Sequence, residues 1–420
     1  GIPFEEWNLQ VARTTTPLKA AGRLIVGVNS FGFGGANAHV VLESLAAKVT
    51  RLETARPKVR PESTVPLLIS GKTAAALRGA ARGMAACLRE HPDTSVYDIA
   101  YSASHGRDWH RHRALVRGNA HKPLALALEQ FAESAVSADG VESGSALEAP
   151  VGVAFVYSGN GSQWEGMGRR LIEEDAIFAQ AIRTVDALFR QYADFSLEDE
   201  IAGRNGAGRF ERTEIAQPAL FAIQVGLTEM LRAQGITPTA VCGHSVGEIA
   251  AAWASGALTL DQAVQVILHR SRLQGQTKGM GQMTAVAVGA AEMEKMLAEL
   301  QLGSDVTIAG INSARGITLG GSRDALARCE AAFAERKIVY KRLDLDYAFH
   351  SAAMDPIESG VYKALATLVP HVATLPFVST VTGDQLSGTL LGAYYWWQNI
   401  RNPVLFAPAI DTLHQLGCRL

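Results

Sequence analysis

Ser245 is the residue of this chain whose setting best fits a nucleophile. It lies in Val241-Cys242-Gly243-His244-Ser245-Val246-Gly247-Glu248-Ile249. The apolar run before it, Thr239 to Cys242, reads as a short buried strand. The segment Glu248-Ile249-Ala250-Ala251-Ala252-Trp253 after it reads as a helix. Strand, tight turn and helix are the setting of a G-x-S-x-G nucleophile elbow. The two glycines suit a turn so tight that neighbouring backbone must pass close to it. Ser245 then stands at a helix N-terminus, where free N–H groups and the helix dipole favour developing negative charge. The pattern alone arises by chance in a chain rich in Gly and Ser; the flanking strand and helix set this copy apart.

A serine hydroxyl needs a base within hydrogen-bond reach. Eleven histidines are available. His244 adjoins Ser245, but neighbours in an elbow point apart, which makes it a poor base. His350 lies in Asp346-Tyr347-Ala348-Phe349-His350-Ser351, flanked by aromatic residues that would exclude water. A hydrolase triad would place an acid between nucleophile and base, such as Asp344 or Asp346. Spacing does not choose among these.

The elements that must hold these groups come next. At 420 residues and 48% hydrophobic content, the chain can form two to four domains with sizeable cores. A net charge of −2, from 39 basic and 41 acidic residues, argues against nucleic acid as the main partner. Cys87, Cys242, Cys329 and Cys418 are widely spaced, with no C-x-x-C, so neither a metal site nor a disulfide framework is expected. No secretory leader or membrane-length apolar run stands out, so the expectation is a cytoplasmic chain.

Leu24–Asn29 and Asn37–Glu43 read as strands around the glycine-rich Phe31-Gly32-Phe33-Gly34-Gly35, and two strands bury no core alone. Residues 46 to about 65 alternate basic residues with prolines, as a linker does. Val65–Ser70, Thr73–Glu90, Tyr97–Ser104, Arg113–Gly118 and Pro123–Ser134 read as strand, helix, helix, strand, helix, with Ser137–Pro150 left loose. The charged run Arg107-Asp108-Trp109-His110-Arg111-His112-Arg113 reads as a locally paired, solvated surface rather than a docking patch. Val151–Tyr157 is a continuous apolar strand entering the Gly-rich turn Ser158-Gly159-Asn160-Gly161-Ser162-Gln163, which lacks the lysine of a nucleotide loop. With the elbow downstream, this predicts an α/β domain around a parallel sheet. Thr259 to Gln262 is a capping box opening the helix that carries Arg270. Residues 283–343 follow βαββαβ, the ferredoxin-like order, inserted into the larger domain.

Four motifs occur in order: Gly159-Asn160-Gly161-Ser162-Gln163, Gln217-Pro218-Ala219, Gly243-His244-Ser245-Val246-Gly247-Glu248 and Ala348-Phe349-His350-Ser351. With them, residues 151–420 resemble the malonyl-CoA:acyl carrier protein transacylase family in its type I polyketide synthase form. The segment Asn29-Ser30-Phe31-Gly32-Phe33-Gly34-Gly35-Ala36-Asn37-Ala38-His39 resembles the closing motif of a ketosynthase, without that enzyme's upstream cysteine, so His39 reads as structural. The resemblance therefore divides the chain into a ketosynthase tail (1–45) and a ketosynthase-to-acyltransferase linker domain (46–150). An α/β-hydrolase-like large subdomain (151–282 and 344–420) and a ferredoxin-like small subdomain (283–343) follow.

The resemblance implies that Ser245 attacks an acyl-CoA thioester with His350 as base, and that a carrier protein's phosphopantetheine thiol collects the acyl group. No bound cofactor or metal is implied. The backbone N–H groups of Val246 and Asn160 would form the oxyanion hole, although the family usually has Gln where Asn160 stands. The carbonyl of Asn399 would orient His350. Arg270 would hold the free carboxylate of malonyl, with Gln217, His244, Tyr347 and Phe349 lining the pocket. Phe349 and Val246 favour malonyl, whereas Tyr347 keeps methylmalonyl or a larger branched unit open. A serine esterase, with an acid partner, is the reading from another reaction class. The implied partners are malonyl-CoA, an acyl carrier protein and an adjoining ketosynthase, with no nucleic acid or membrane. Family members continue past the position of Leu420, so a fragment is expected; they dimerise through the ketosynthase, which is mostly missing here, so the expected state is a monomer.

Overall fold

The protein is described by a computed structural model covering residues 2–15, 17, 23–44, 64–133, 140–147, 151–206 and 209–419. Of the linker expected at 46 to about 65, residues 46–63 lie outside the described residues. The chain divides into two units, Gly1–Ala146 and Leu147–Leu420.

In the first unit, β1 (Ile25–Phe31) and β2 (Asn37–Glu43) pair antiparallel, from Ile25 opposite Glu43 to Phe31 opposite Asn37. Their side chains are exposed except for half-buried Val26, so the hairpin builds no core. The His39 ring meets the Asn29 side chain across the pair. The following elements are β3 (Val65–Gly71), α1 (Ala74–Glu90), α2 (Val96–His105), β4 (His112–Gly118), α3 (His121–Glu133) and β5 (Val141–Ser145). Thr73 caps α1 by accepting the Ala76 N–H. The strands form one antiparallel sheet, β3-β4-β5, over a core that includes Leu67, Leu88, Leu124 and Leu128.

Strand β5 corrects the loose reading of Ser137–Pro150. Its Glu, Ser and Gly residues have little strand propensity, and pairing with β4 supplies what propensity does not. In the charged run, Arg113 lies over the Trp109 ring at 5.5 Å and donates to the His110 carbonyl at 3.0 Å, and His112 meets Ser145 at 3.1 Å.

The second unit opens with β6 (Gly152–Tyr157). Helices α4 (Arg169–Glu174), α5 (Ala176–Phe189), α6 (Leu197–Ala202) and α7 (Thr213–Ala233) lead to β7 (Ala240–Gly243), α8 (Gly247–Ala254) and α9 (Leu260–Gly275). The chain then builds β8 (Gln282–Val286), α10 (Ala290–Glu299), β9 (Val306–Ser313), β10 (Gly316–Gly321), α11 (Arg323–Glu335) and β11 (Tyr340–Arg342). It returns through α12 (Glu358–Ala364), β12 (Phe377–Val378), β13 (Gln385–Leu386), α13 (Ala393–Arg401), α14 (Phe406–Gln415) and β14 (Cys418–Arg419).

Two sheets result. The larger runs β13-β12-β7-β6-β14, with β12, β7, β6 and β14 parallel and β13 antiparallel at one edge. All four residues of β7 are buried, as expected of a central strand covered on both faces. The smaller sheet, β11-β8-β10-β9, is antiparallel throughout. It packs α10 and α11 over Met293, Leu297, Leu319, Leu326 and Phe333. This is the inserted ferredoxin-like subdomain. Phe178, Phe189, Phe221 and Trp396 are among the fully buried side chains of the large subdomain, each contributing about 1.5–3 kcal/mol on burial. That packing fixes α7, α8, α9 and α13 around the end of β7.

Candidate active site

Strand β7 ends at Gly243 and α8 begins at Gly247, leaving three residues to reverse the chain. Ser245 takes a φ of +54°, a left-handed conformation that is costly for a residue with a side chain. Both glycines are required by contact. A Cβ on Gly243 would overlap the Gly247 carbonyl carbon, and one on Gly247 would overlap the Tyr157 carbonyl oxygen at the end of β6. The hydroxyl of Ser245 is thereby held at the N-terminus of α8, nearly buried.

His350 also has a positive φ, +58°. Its Nε2 lies 2.8 Å from Ser245 Oγ, and its Nδ1 lies 2.9 Å from the carbonyl oxygen of Asn402. A carbonyl only accepts, so Nδ1 carries the proton, Nε2 is the acceptor, and Ser245 donates to it. The orienting carbonyl is thus that of Asn402, which corrects the expectation of Asn399. Asn399 lies in the last turn of α13, whereas Asn402 is the first residue beyond it, forced extended before Pro403 so that its carbonyl turns toward the ring. Asp344 and Asp346 do not contact His350; Asp346 pairs instead with Arg323. Burial, with Arg270 next in importance, pushes the His350 pKa down to about 3. The ring is therefore neutral near pH 7, as a base must be.

Arg270 is 2% exposed. Its Nη2 donates to Ser245 Oγ at 3.0 Å, and its Nη1 donates to Gln217 Oε1 at 2.6 Å and Gln274 Oε1 at 2.8 Å. Its Nε donates to Asn399 Oδ1 at 3.2 Å. Every acceptor is neutral, and burial lowers the guanidinium pKa to about 9, still charged at neutral pH. The nearest counter-charge acts through Asn399, whose Nδ2 donates both to the Ser245 carbonyl at 3.1 Å and to Glu248 Oε2 at 2.7 Å. Glu248 is fully buried and also accepts from Tyr395 OH at 2.6 Å and from the N–H of Thr380. Burial raises its pKa to about 7 against these hydrogen bonds.

The other expected residues lie around this centre. Among the described residues, neither the Val246 nor the Asn160 backbone N–H has an acceptor. Tyr347 and Phe349 are buried, with rings stacked at 4.8 Å and 10°. His244 does not serve Ser245: its Nε2 lies 2.9 Å from Asn312 Oδ1 on β9, which ties the large subdomain to the small one. Glu248, Asn312, Asn402 and Gln274 went unassigned from sequence. A glutamate in a first helical turn reads as solvated, and only packing against Thr380 and Tyr395 shows otherwise. Gln274 did leave a signal, one turn after Arg270 and so on the same face of α9.

The acyl transferase domain family matches residues 154–418, a span that holds every residue of this centre. The chain belongs to that family. As an acyltransferase, it carries upstream a match to the ketoacyl-synthetase C-terminal extension over residues 1–116. It is 36% identical over 390 residues to an erythronolide synthase of Saccharopolyspora erythraea, covering 93% of this chain but 11% of that protein. The acyltransferase thus spans about a tenth of that curated relative. Among solved structures, the acyltransferase domain from module 8 of the salinomycin polyketide synthase is 34% identical with a TM-score of 0.78, covering 84% of this chain and 83% of that one. The acyl transferase domain of SpnD in complex with 2-(pent-4-yn-1-yl)malonyl is 29% identical with a TM-score of 0.71, covering 84% and 82%. Among the described residues, no group of three His, Cys, Asp or Glu could hold a metal ion, and no helix is long and apolar enough to cross a membrane.

Proposed function

We propose that this acyltransferase loads a malonyl-type acyl group from coenzyme A onto the phosphopantetheine thiol of an acyl carrier protein, as part of a polyketide synthase. One observation carries the substrate class: a buried cation, Arg270, stands 3.0 Å from the nucleophile with only neutral acceptors. A buried charge left without its counter-ion is costly, so the pocket favours an acyl group that brings a carboxylate. The malonyl derivative bound by SpnD is of that class.

Ser245 gives its proton to His350 Nε2 as Oγ attacks the thioester carbon. The carbonyl oxygen becomes an oxyanion facing the N–H groups of Val246 and Asn160. The C–S bond then breaks, the imidazolium returns the proton to the coenzyme A thiolate, and acyl-Ser245 remains. The carrier thiol repeats the sequence in reverse, giving ping-pong kinetics. The bulky Phe349 ring, stacked on Tyr347, supports a preference for malonyl over methylmalonyl of about 1–3 kcal/mol. The upstream match and the relatives' identity support an adjoining ketosynthase as partner.

Intact-protein mass after brief exposure to malonyl-, methylmalonyl- or acetyl-CoA tests this. Malonyl should label the protein and fail to label Ser245→Ala. Arg270→Ala should lower malonyl relative to acetyl loading about a hundredfold, given about 1.5–3 kcal/mol for each hydrogen bond to a charge. An unchanged ratio in Arg270→Ala would sink the assignment of the carboxylate site.

A further inference from the structure

Gln274 is fully buried, one turn from Arg270 on α9. Its Oε1 accepts from Arg270 Nη1 at 2.8 Å and from Gln217 Nε2 at 3.0 Å. Those two donors fix the amide's orientation, because the flipped form would set N–H against N–H. Its Nε2 finds no acceptor among the described residues. Both ends of an amide share one carbon, so an unfilled buried donor lies beside the guanidinium. A buried donor without a partner costs free energy until something fills it.

We propose that Gln274 binds substrate directly, donating its Nε2–H to the carboxylate that Arg270 holds. The inference rests on the malonyl-type reading given above. The amide oxygens of Gln217 and Gln274 accept the Nη1 protons. A carboxylate competes with them for Arg270 because charge-assisted hydrogen bonds are roughly twice as strong as neutral ones. Released from Nη1, the Gln274 oxygen keeps its bond from Gln217 Nε2, and its unfilled Nε2–H donates to the same anion. An acetyl group brings no acceptor there and leaves the donor unfilled. The amide thus sharpens selection for a carboxylated acyl group.

The test is the ratio of malonyl to acetyl loading of the full chain, read by intact mass in a mixed-substrate time course. Gln274→Leu, similar in size and without the donor, should lower the ratio about tenfold. Gln274→Glu, which keeps the shape and turns the donor into an anion, should lower it further. A wild-type ratio in both variants overturns the inference. If Gln274→Leu loses both activities by misfolding, the ratio in Gln274→Glu decides. Arg270→Ala separates the two levels: a collapsed ratio there beside a wild-type ratio in both Gln274 variants removes Gln274 alone. A wild-type ratio in Arg270→Ala removes the carboxylate site itself.

Discussion

His350 is a base weakened first by burial and then by the Arg270 cation beside it. Burial opposes imidazolium formation most, the Arg270 cation adds to it, and only the Asn402 carbonyl favours it. A carboxylate arriving at Arg270 cancels the opposing charge, so the bound substrate strengthens the base that acts on it. This gives a prediction in pH. Because kcat/KM reports the free enzyme, its profile should show no acid limb near 6.5 and stay level until the chain unfolds. The kcat profile for malonyl-CoA reports the occupied site, and its acid limb should lie at higher pH. Stopped-flow loading rates between pH 5 and 8 check both, and an acid limb near 6.5 in kcat/KM would mean an ordinary solvated histidine. Ser245 was legible in the sequence because local pattern marks it, with glycines on both sides, and His350 because its motif, Ala348-Phe349-His350-Ser351, carries the family resemblance. The Asn402 carbonyl was not, since Asn399 and Asn402 both lie at the end of one helix, and only the chain's direction before Pro403 separates them.

At the scale of elements, α8 is held by a buried carboxyl. Glu248 joins the first turn of α8 to Thr380 after β12 and to Tyr395 and Asn399 on α13. Its folded pKa is raised, so the neutral form is more favoured in the fold than in the unfolded chain. The stability it contributes is complete below its ordinary value of 4.5 and is lost as pH rises through about 7. The loss approaches about 3 kcal/mol if the whole shift is realised. Glu248→Gln cannot ionise, so its melting temperature should decline less steeply from pH 5 to 8 than that of the unmodified chain. Equal slopes would exclude Glu248 as the titrating group. Elements of strong periodicity or clear capping, such as α1 behind Thr73 and α9 behind Thr259, were readable because their signals are local. Strand β5 and the burial of Glu248 were not, because each depends on a partner distant in sequence.

At the scale of the molecule, Asn312 of the small subdomain reaches His244 in the elbow, so the insert helps form the site's wall. The sheet has a second long-range feature. The last strand, β14, pairs parallel with β6, placing Cys418 opposite Gly152. Residues 152 and 418 therefore lie side by side, one strand spacing apart, about 4.8 Å. A circular permutant with residue 419 joined to residue 151 by a short flexible link, and opened at an exposed loop such as the one after α10, should still form the acyl-Ser245 adduct. Loss of the adduct together with loss of the cooperative melt would show that the original order of the strands is needed. The family's matched span, residues 154–418, thus begins and ends on neighbouring strands, so one sheet closes that span on itself like a clasp.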